Sequence, residues 1–242
     1  MKRWLILAGL FALSLQAVGQ DVSWLLDEAP VVSMVLVKSL EKCPAFSAKV
    51  EIHVSGKADP SPSDAAGTIE SQGGNLRWEA KLGDIRSAQL SPNARAAVRQ
   101  VNGEQFVVLT RADQKANYLV LTGAQACLQQ PLPPLRLSSA NPHAATERID
   151  GRICSKERLR AVQSGGTTND VVVWRAKDLK NLPVQIQFTD SGETIQVRFR
   201  DISVRSISTE RFRIPGGLAK YSSVEDLVQS VVVERVKKRM GL

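Results

Sequence analysis

The sequence predicts a mainly β, α+β protein in which antiparallel strands are bracketed by a helix at each end. Three observations carry this. Residues 48–54 alternate apolar and polar side chains. Short turn-forming pairs link the strands of residues 146–200. Apolar residues recur at helical spacing in residues 31–43 and 224–231.

Val31 to Cys43 reads as a helix, with Pro30 tolerated in its first turn and Pro44 ending it. From Ala48 the period changes to two. Ala48, Val50, Ile52 and Val54 are apolar, whereas Lys49, Glu51 and His53 are polar, the pattern of a strand with one wet face. A polar loop is expected over Asp59 to Ala66. Gly67 to Gln72 and Asn75 to Leu82 then read as a hairpin turning at Gly73–Gly74, with Leu76, Trp78, Ala80 and Leu82 on one face. Ser91 to Arg99 fits either a short helix or a loop. Phe106 to Thr110 and Tyr118 to Thr122 are short strands. Pro131, Pro133 and Pro134 mark a long loop reaching about Ala145, because proline removes a backbone donor.

The last third is the most regular. Thr146 to Ile149 passes through Asp150–Gly151, a strong hairpin-turn pair, into Arg152 to Gln163. Ser164–Gly165–Gly166 and Asp190–Ser191–Gly192 are further turns. Between and after them lie strands at Val171 to Arg175 and Leu182 to Thr189, then one in which Ile195, Val197 and Phe199 alternate with polar residues. Connections this short make an antiparallel meander. Ser222 and Glu225 read as a capping box opening a last helix, whose stripe is Val224, Leu227, Val228 and Val231.

The first 19 residues read as a cleavable secretory signal. Lys2 and Arg3 precede an apolar run from Trp4 to Leu15, and Ala17 and Gly19 place small residues at the cleavage spacing. The run is about 12 residues, whereas a membrane-spanning helix needs about 20. The expected organisation is therefore a signal over residues 1–19, one domain over 20–242, and no transmembrane anchor after cleavage. The expected location is the periplasm, or outside the cell if there is no outer membrane.

Composition narrows the function classes. The chain has 32 Lys+Arg against 24 Asp+Glu, net +8, with the charges dispersed. With 2 Tyr and 6 Phe it lacks the interleaved basic and aromatic residues of a single-strand nucleic-acid platform, so no nucleic-acid partner is expected. No C-x-x-C occurs, and of the two histidines, His53 on the alternating strand and His143 in the Pro/Ser/Asn-rich loop, either offers a metal ligand but both read as surface residues. Cys43, Cys127 and Cys154 would allow one disulfide in an oxidising compartment, with all three pairings open. Asp59, Asp64, Glu70 and Asp84 are not spaced as an acid–base pair, and hydrolase, P-loop and dinucleotide motifs are absent. No catalytic residue, metal or cofactor is expected, and the protein is not expected to be an enzyme.

Four stretches in residues 146–229 resemble the periplasmic proteins related to the lipoprotein carrier LolA and its receptor LolB. They are ERIDGRICSKERL (Asp150, Gly151, Cys154), VVVWRAKDLKNLPVQIQF (Val173, Trp174, Lys177, Leu182, Pro183, Val184), VRFRDISV, and ERFRIPGGLAKYSSVEDLV. Residues 46–122 match in pattern alone, through FSAKVEI, a G-x-I hairpin and YLVL. The resemblance implies a strongly curved antiparallel sheet, an incomplete β-barrel, with the N-terminal and C-terminal helices packed on its concave side.

It also frames the functional expectation, which is a hydrophobic ligand held in the concave face. The ligand would be a lipid or acyl chain, or a lipoprotein's. On the first strands the candidate contacts are Val50, Ile52, Val54 and Trp78. On the later strands they are Val184, Ile186, Phe188, Ile195, Val197 and Phe199. The alternative is an envelope protein–protein interaction or sensing module whose concavity is filled by its own side chains. Arg235, Lys237, Lys238 and Arg239 cluster near the end of the last helix. They read either as cations favourable at a helix C-terminus or as a contact with anionic lipid headgroups.

Overall fold

The computed structural model describes residues 31–56, 63–86, 99, 104–163, 168–190, 192–223, 226 and 230. Several sequence expectations lie outside the described residues. These are the signal over 1–19, the loop at 59–62, the segment 91–98, the turn at 164–166, most of the last helix and the basic residues 235–239.

One helix, α1 (residues 31–40), precedes the strands. The first strands are β1 (Phe46–Gly56), β2 (Ser63–Gln72), β3 (Asn75–Lys81) and β4 (Ile85–Arg86). The middle of the chain gives β5 (Gln105–Arg111), β6 (Ala116–Leu121) and β7 (Ala126–Pro131). The remainder forms β8 (Leu135–Ile149), β9 (Arg152–Gln163), β10 (Thr168–Ala176), β11 (Leu182–Asp190), β12 (Glu193–Val204) and β13 (Ala219–Tyr221). They build a 13-stranded sheet in the order β13-β7-β6-β5-β3-β2-β1-β12-β11-β10-β9-β8, with β4 attached to β2. The two ends of this path do not meet, so the sheet is open. Its architecture is the curved, unclosed one that the resemblance to the carrier family implies.

Local chemistry explains the path. Asp150 (φ 46) and Gly151 (φ 79) both take the left-handed backbone that a two-residue hairpin turn demands, and β8 and β9 pair from Ile149↔Arg152 outward. In β12 Asp201 (φ 50) is an extra residue opposite β1, where the register shifts between Ser47 and Lys49; Lys49 Nζ holds its carboxylate at 2.8 Å. Gly67 is required by space. A Cβ there would lie 2.2 Å from the Glu79 carbonyl oxygen and 2.6 Å from Trp78 Nε1. Beyond Gly67 the partner of β2 changes from β3 to β4, so the sheet bends where the side chain is missing.

α1 is buried on nearly every side because it lies in the concavity. Val35, Leu36, Val37 and Leu40 pack with Phe46, Val50, Val171, Ile186, Phe188, Val197 and Phe199 in one core. Arg175 fixes the helix's end. Its guanidinium donates to the Ser39 carbonyl at 3.3 Å and is oriented by Glu157 at 3.0 Å. The opposite face of β5–β7 has its own small core, formed by Leu109, Tyr118 and Val120 under Ile214 and Leu218. At the C-terminal end, Asp226 and Ser230 are helical, and Ser223 Oγ accepts the Asp226 N–H at 3.1 Å. The cap therefore sits at Ser223, one residue beyond the expected Ser222.

Four expectations are corrected. Ser63 to Ala66 is strand, not loop, because its backbone completes the ladder with Glu51 to Val54. The proline-marked loop shrinks to residues 132–134. Pro131 ends β7, a strand the sequence reading passed over, and Leu135–Ile149 is β8. Proline is tolerated there because β8 is the sheet's last strand, and its register shifts on either side of Asn141, beside Pro142. The sheet is not antiparallel throughout, since β13 pairs parallel with β7. Finally, α1 ends at residue 40, three residues short of Cys43.

All three cysteines are free. Cys127 and Cys154 sit on strands near opposite ends of the sheet, and Cys43 packs on the helix side while Cys154 belongs to the separate cluster of Trp174, Ala176 and Val184. Thiol titration of the unfolded, non-reduced protein should therefore return 3 thiols per chain. A count of one would mean that a disulfide forms and that this packing is wrong.

Candidate functional site

α1 lies against the concave side of the sheet. Its buried residues share one core with β1–β3 and β9–β12, and Val32, Ser33 and Leu36 also line the space over β1–β3, β5 and β6. Beside them lies a hollow with a cavity volume of about 110 Å³ that opens to solvent. The walls follow from strand alternation. Val50, Ile52 and Val54 of β1 face it, as do Ile69 of β2, Leu76 and Trp78 of β3, and Phe106 and Val108 of β5. The Trp78 and Phe106 rings meet edge to face, with centroids 5.6 Å apart at 87°.

Of the candidate contacts, the hollow brings together Val50, Ile52, Val54, Trp78 and Ile195. Ile186, Phe188, Val197 and Phe199 do not reach it. They are packed beneath α1 in the main core. Val184 is elsewhere again. It falls where the β10–β11 register shifts and packs with Cys154, Trp174 and Ala176. The sequence reading missed Leu36, Ile69, Phe106, Val108, Leu119 and the polar Asn117 as wall residues. For Phe106 and Val108 the signal was present, since they alternate along a recognised strand.

Polar groups are few and specifically placed. Inside, Asn117 Oδ1 accepts the Thr110 hydroxyl at 2.9 Å and the Ser33 hydroxyl at 3.4 Å, and Thr110 and Asn117 are each 1% exposed. This node ties the first turn of α1 to β5 and β6. Trp78 Nε1 is buried against Gly67 without a hydrogen-bond partner. Asp64 and Glu193 also line the hollow, and Asp64 Oδ1 lies 2.6 Å from His53 Nδ1 on the exposed side of β1. Glu70 is occupied by Arg211 at 2.8 Å, and Asp84 sits in a short turn after β3. Asp59 lies outside the described residues, as does the side chain of His143.

The arrangement offers shape and apolar surface. Burial pushes the thiols of Cys43, Cys127 and Cys154 up, so each is protonated and a weak nucleophile near neutral pH. Among the described residues no group of three or more His, Cys, Asp or Glu is placed to hold a metal ion. No helix among them is long and apolar enough to cross a membrane.

No family model matches the chain, and no curated protein does. Solved structures do resemble it in shape. An uncharacterized conserved protein from Thermus thermophilus is 13% identical with a TM-score of 0.42, over 79% of this chain and 98% of that one. A LolA superfamily protein from Nitrosomonas europaea is 12% identical with a TM-score of 0.37, over 75% and 96%. The lipoprotein LppX from Mycobacterium tuberculosis is 13% identical with a TM-score of 0.35, over 74% and 96%.

Proposed function

We propose that this chain is a non-catalytic protein of the cell envelope, exported by its leader, that binds the apolar part of a lipid between the first turn of α1 and strands β1–β6. The carrying observation is the apolar hollow itself. A sheet of this curvature with a helix in its concavity can bury its wall residues completely, as it does beneath the body of α1. On the β1–β6 side an open, mainly apolar space remains among the described residues, and this favours a ligand site over a filled interaction module.

The size sets the cargo. At about 30 Å³ per water in the liquid, 110 Å³ admits roughly four waters. That accommodates a short segment of one acyl chain, with the remainder of the lipid extending toward the open side. Each buried methylene offers about 0.8 kcal/mol before association and ordering costs, so affinity accrues along the chain without any charged anchor.

The test is direct. The protein purified from a bacterial envelope is extracted with organic solvent and the extract examined by mass spectrometry, in parallel with titration of a fluorescent fatty-acid probe. Recovery of lipid at near one molecule per chain, or saturable probe binding, is the expected result. Neither lipid nor probe binding, together with a stoichiometric crosslinked protein partner, would establish the interaction-module alternative.

A further inference from the structure

The convex face of β8–β10 carries an arrangement of charge that the folding of the chain does not use. Residues directly opposite in an antiparallel ladder point to the same side. The ladder places Arg136 opposite Val162, Ser138 opposite Arg160, and Asn141 opposite Arg158. On its other edge β9 sets Val162 against Thr168, Arg160 against Asp170, and Arg158 against Val172. Arg136, Arg158 and Arg160 therefore share one side, while Leu135, Leu159 and Ala161 on the opposite side join the core under α1. Arg158 and Arg160 are about 7 Å apart along the strand, and Arg136 is about 7–8 Å diagonally from Arg160.

Several other arginines of the sheet carry carboxylate partners. Arg175 is paired with Glu157 at 3.0 Å, Arg198 with Asp150 at 2.7 Å and Arg200 with Glu51 at 2.9 Å. Further along the same face, Lys156 is held by Glu147 at 2.9 Å and lies 5.1 Å over the Trp174 ring. Among the described residues, Arg136, Arg158 and Arg160 are exposed and within 4 Å of no carboxylate. Asp170, the one carboxylate in these rows, stands opposite Arg160 without forming an ion pair. Val162 lies among them, 37% exposed. Three unneutralised guanidinium groups this close repel one another, and an anionic surface relieves that repulsion.

We propose that Arg136, Arg158 and Arg160 form a docking face for an anionic phospholipid surface. Guanidinium groups are suited to it because each presents a planar fork of donors to phosphate oxygens. Val162, flat among them, enters the interfacial region. The face lies on the opposite side of the sheet from the hollow, so docking leaves the mouth of the hollow free. The proposal goes beyond the ligand reading and stands or falls separately from it.

The test is co-sedimentation of the purified protein with vesicles of phosphatidylcholine alone or with one-third phosphatidylglycerol, at low and high salt. Three proteins are compared. They are the wild type, the triple variant R136Q/R158Q/R160Q, and a control triple variant K42Q/K81Q/K115Q that removes the same charge from exposed sites elsewhere. The wild type is expected to bind the phosphatidylglycerol vesicles and to be released by salt. The arginine variant should bind on the order of a hundredfold more weakly, at about fivefold per residue, and the control nearly as well as the wild type. Circular dichroism checks that all three are folded. Absence of wild-type binding, or equal losses in the two triple variants, would overturn the proposal. The first result would leave an acidic protein as the partner of this face, and the second would reduce the effect to net charge.

Discussion

Ala65→Phe is expected to weaken binding of a fluorescent fatty-acid probe at least tenfold while leaving the fold intact. Ala65 is on β2, opposite Ile52 of β1 and Ile85 of β4, and its methyl group faces the hollow. Apolar cavities near 150 Å³ take up benzene, so a phenyl ring built from residue 65 competes for the space proposed for an acyl segment. The substitution buries apolar surface where room exists, so the usual overpacking penalty of about 1–3 kcal/mol should be at the low end. The two measurements that decide are the probe's dissociation constant and the midpoint of urea unfolding. An unchanged dissociation constant in a folded variant means that the probe binds elsewhere. Trp78 gives an independent signal, since its ring lines the same hollow and its emission should respond to ligand in the wild type and to the new ring in the variant.

Strand alternation made the frame legible from residues alone. Val50, Ile52 and Val54 face inward, Asp150–Gly151 turns the chain, and Ile195, Val197 and Phe199 are buried as their spacing implies. All of β8 before Thr146 was hidden because the prolines, which exclude a helix and a central strand, mark a long loop reaching about Ala145. That rule holds for a strand bonded on both sides, and β8 is bonded on one. β13 was hidden because a three-residue parallel pairing has no local pattern. The site was only half legible for a different reason. Alternation says which side of a strand is apolar but not what covers it. Phe188 and Ile52 carry the same signal, yet Phe188 is buried in the core with α1 whereas Ile52 is half-buried and lines the hollow. Val184 went astray through a register shift, which no period-two count anticipates. Asn117 was unremarkable in the sequence because its importance lies in meeting Ser33, 84 positions away.

Phe46→Ala is expected to cost about 3–5 kcal/mol, the top of the range for a single core truncation. Phe46 opens β1, is 0% exposed, and meets the Phe199 ring edge-on at 5.9 Å and 80°. It lies where β1, β2 and β12 converge, paired with Ser71 on one side and Val204 on the other. Around it α1, β1 and β12 contribute one continuous core, so the void left by the ring is bounded by ladder backbone on two sides and cannot collapse. At roughly 2–4 °C per kcal/mol for a chain of this size, the thermal midpoint should fall by about 6–20 °C. Val162→Ala on the exposed convex face should change stability by less than about 0.5 kcal/mol, which calibrates the measurement. A Phe46→Ala cost under about 1 kcal/mol in a single cooperative transition would contradict the packing of α1 in the concavity. A large cost with probe binding retained at room temperature would show that the two halves are energetically separate, one packed by α1 to hold the fold and one left open.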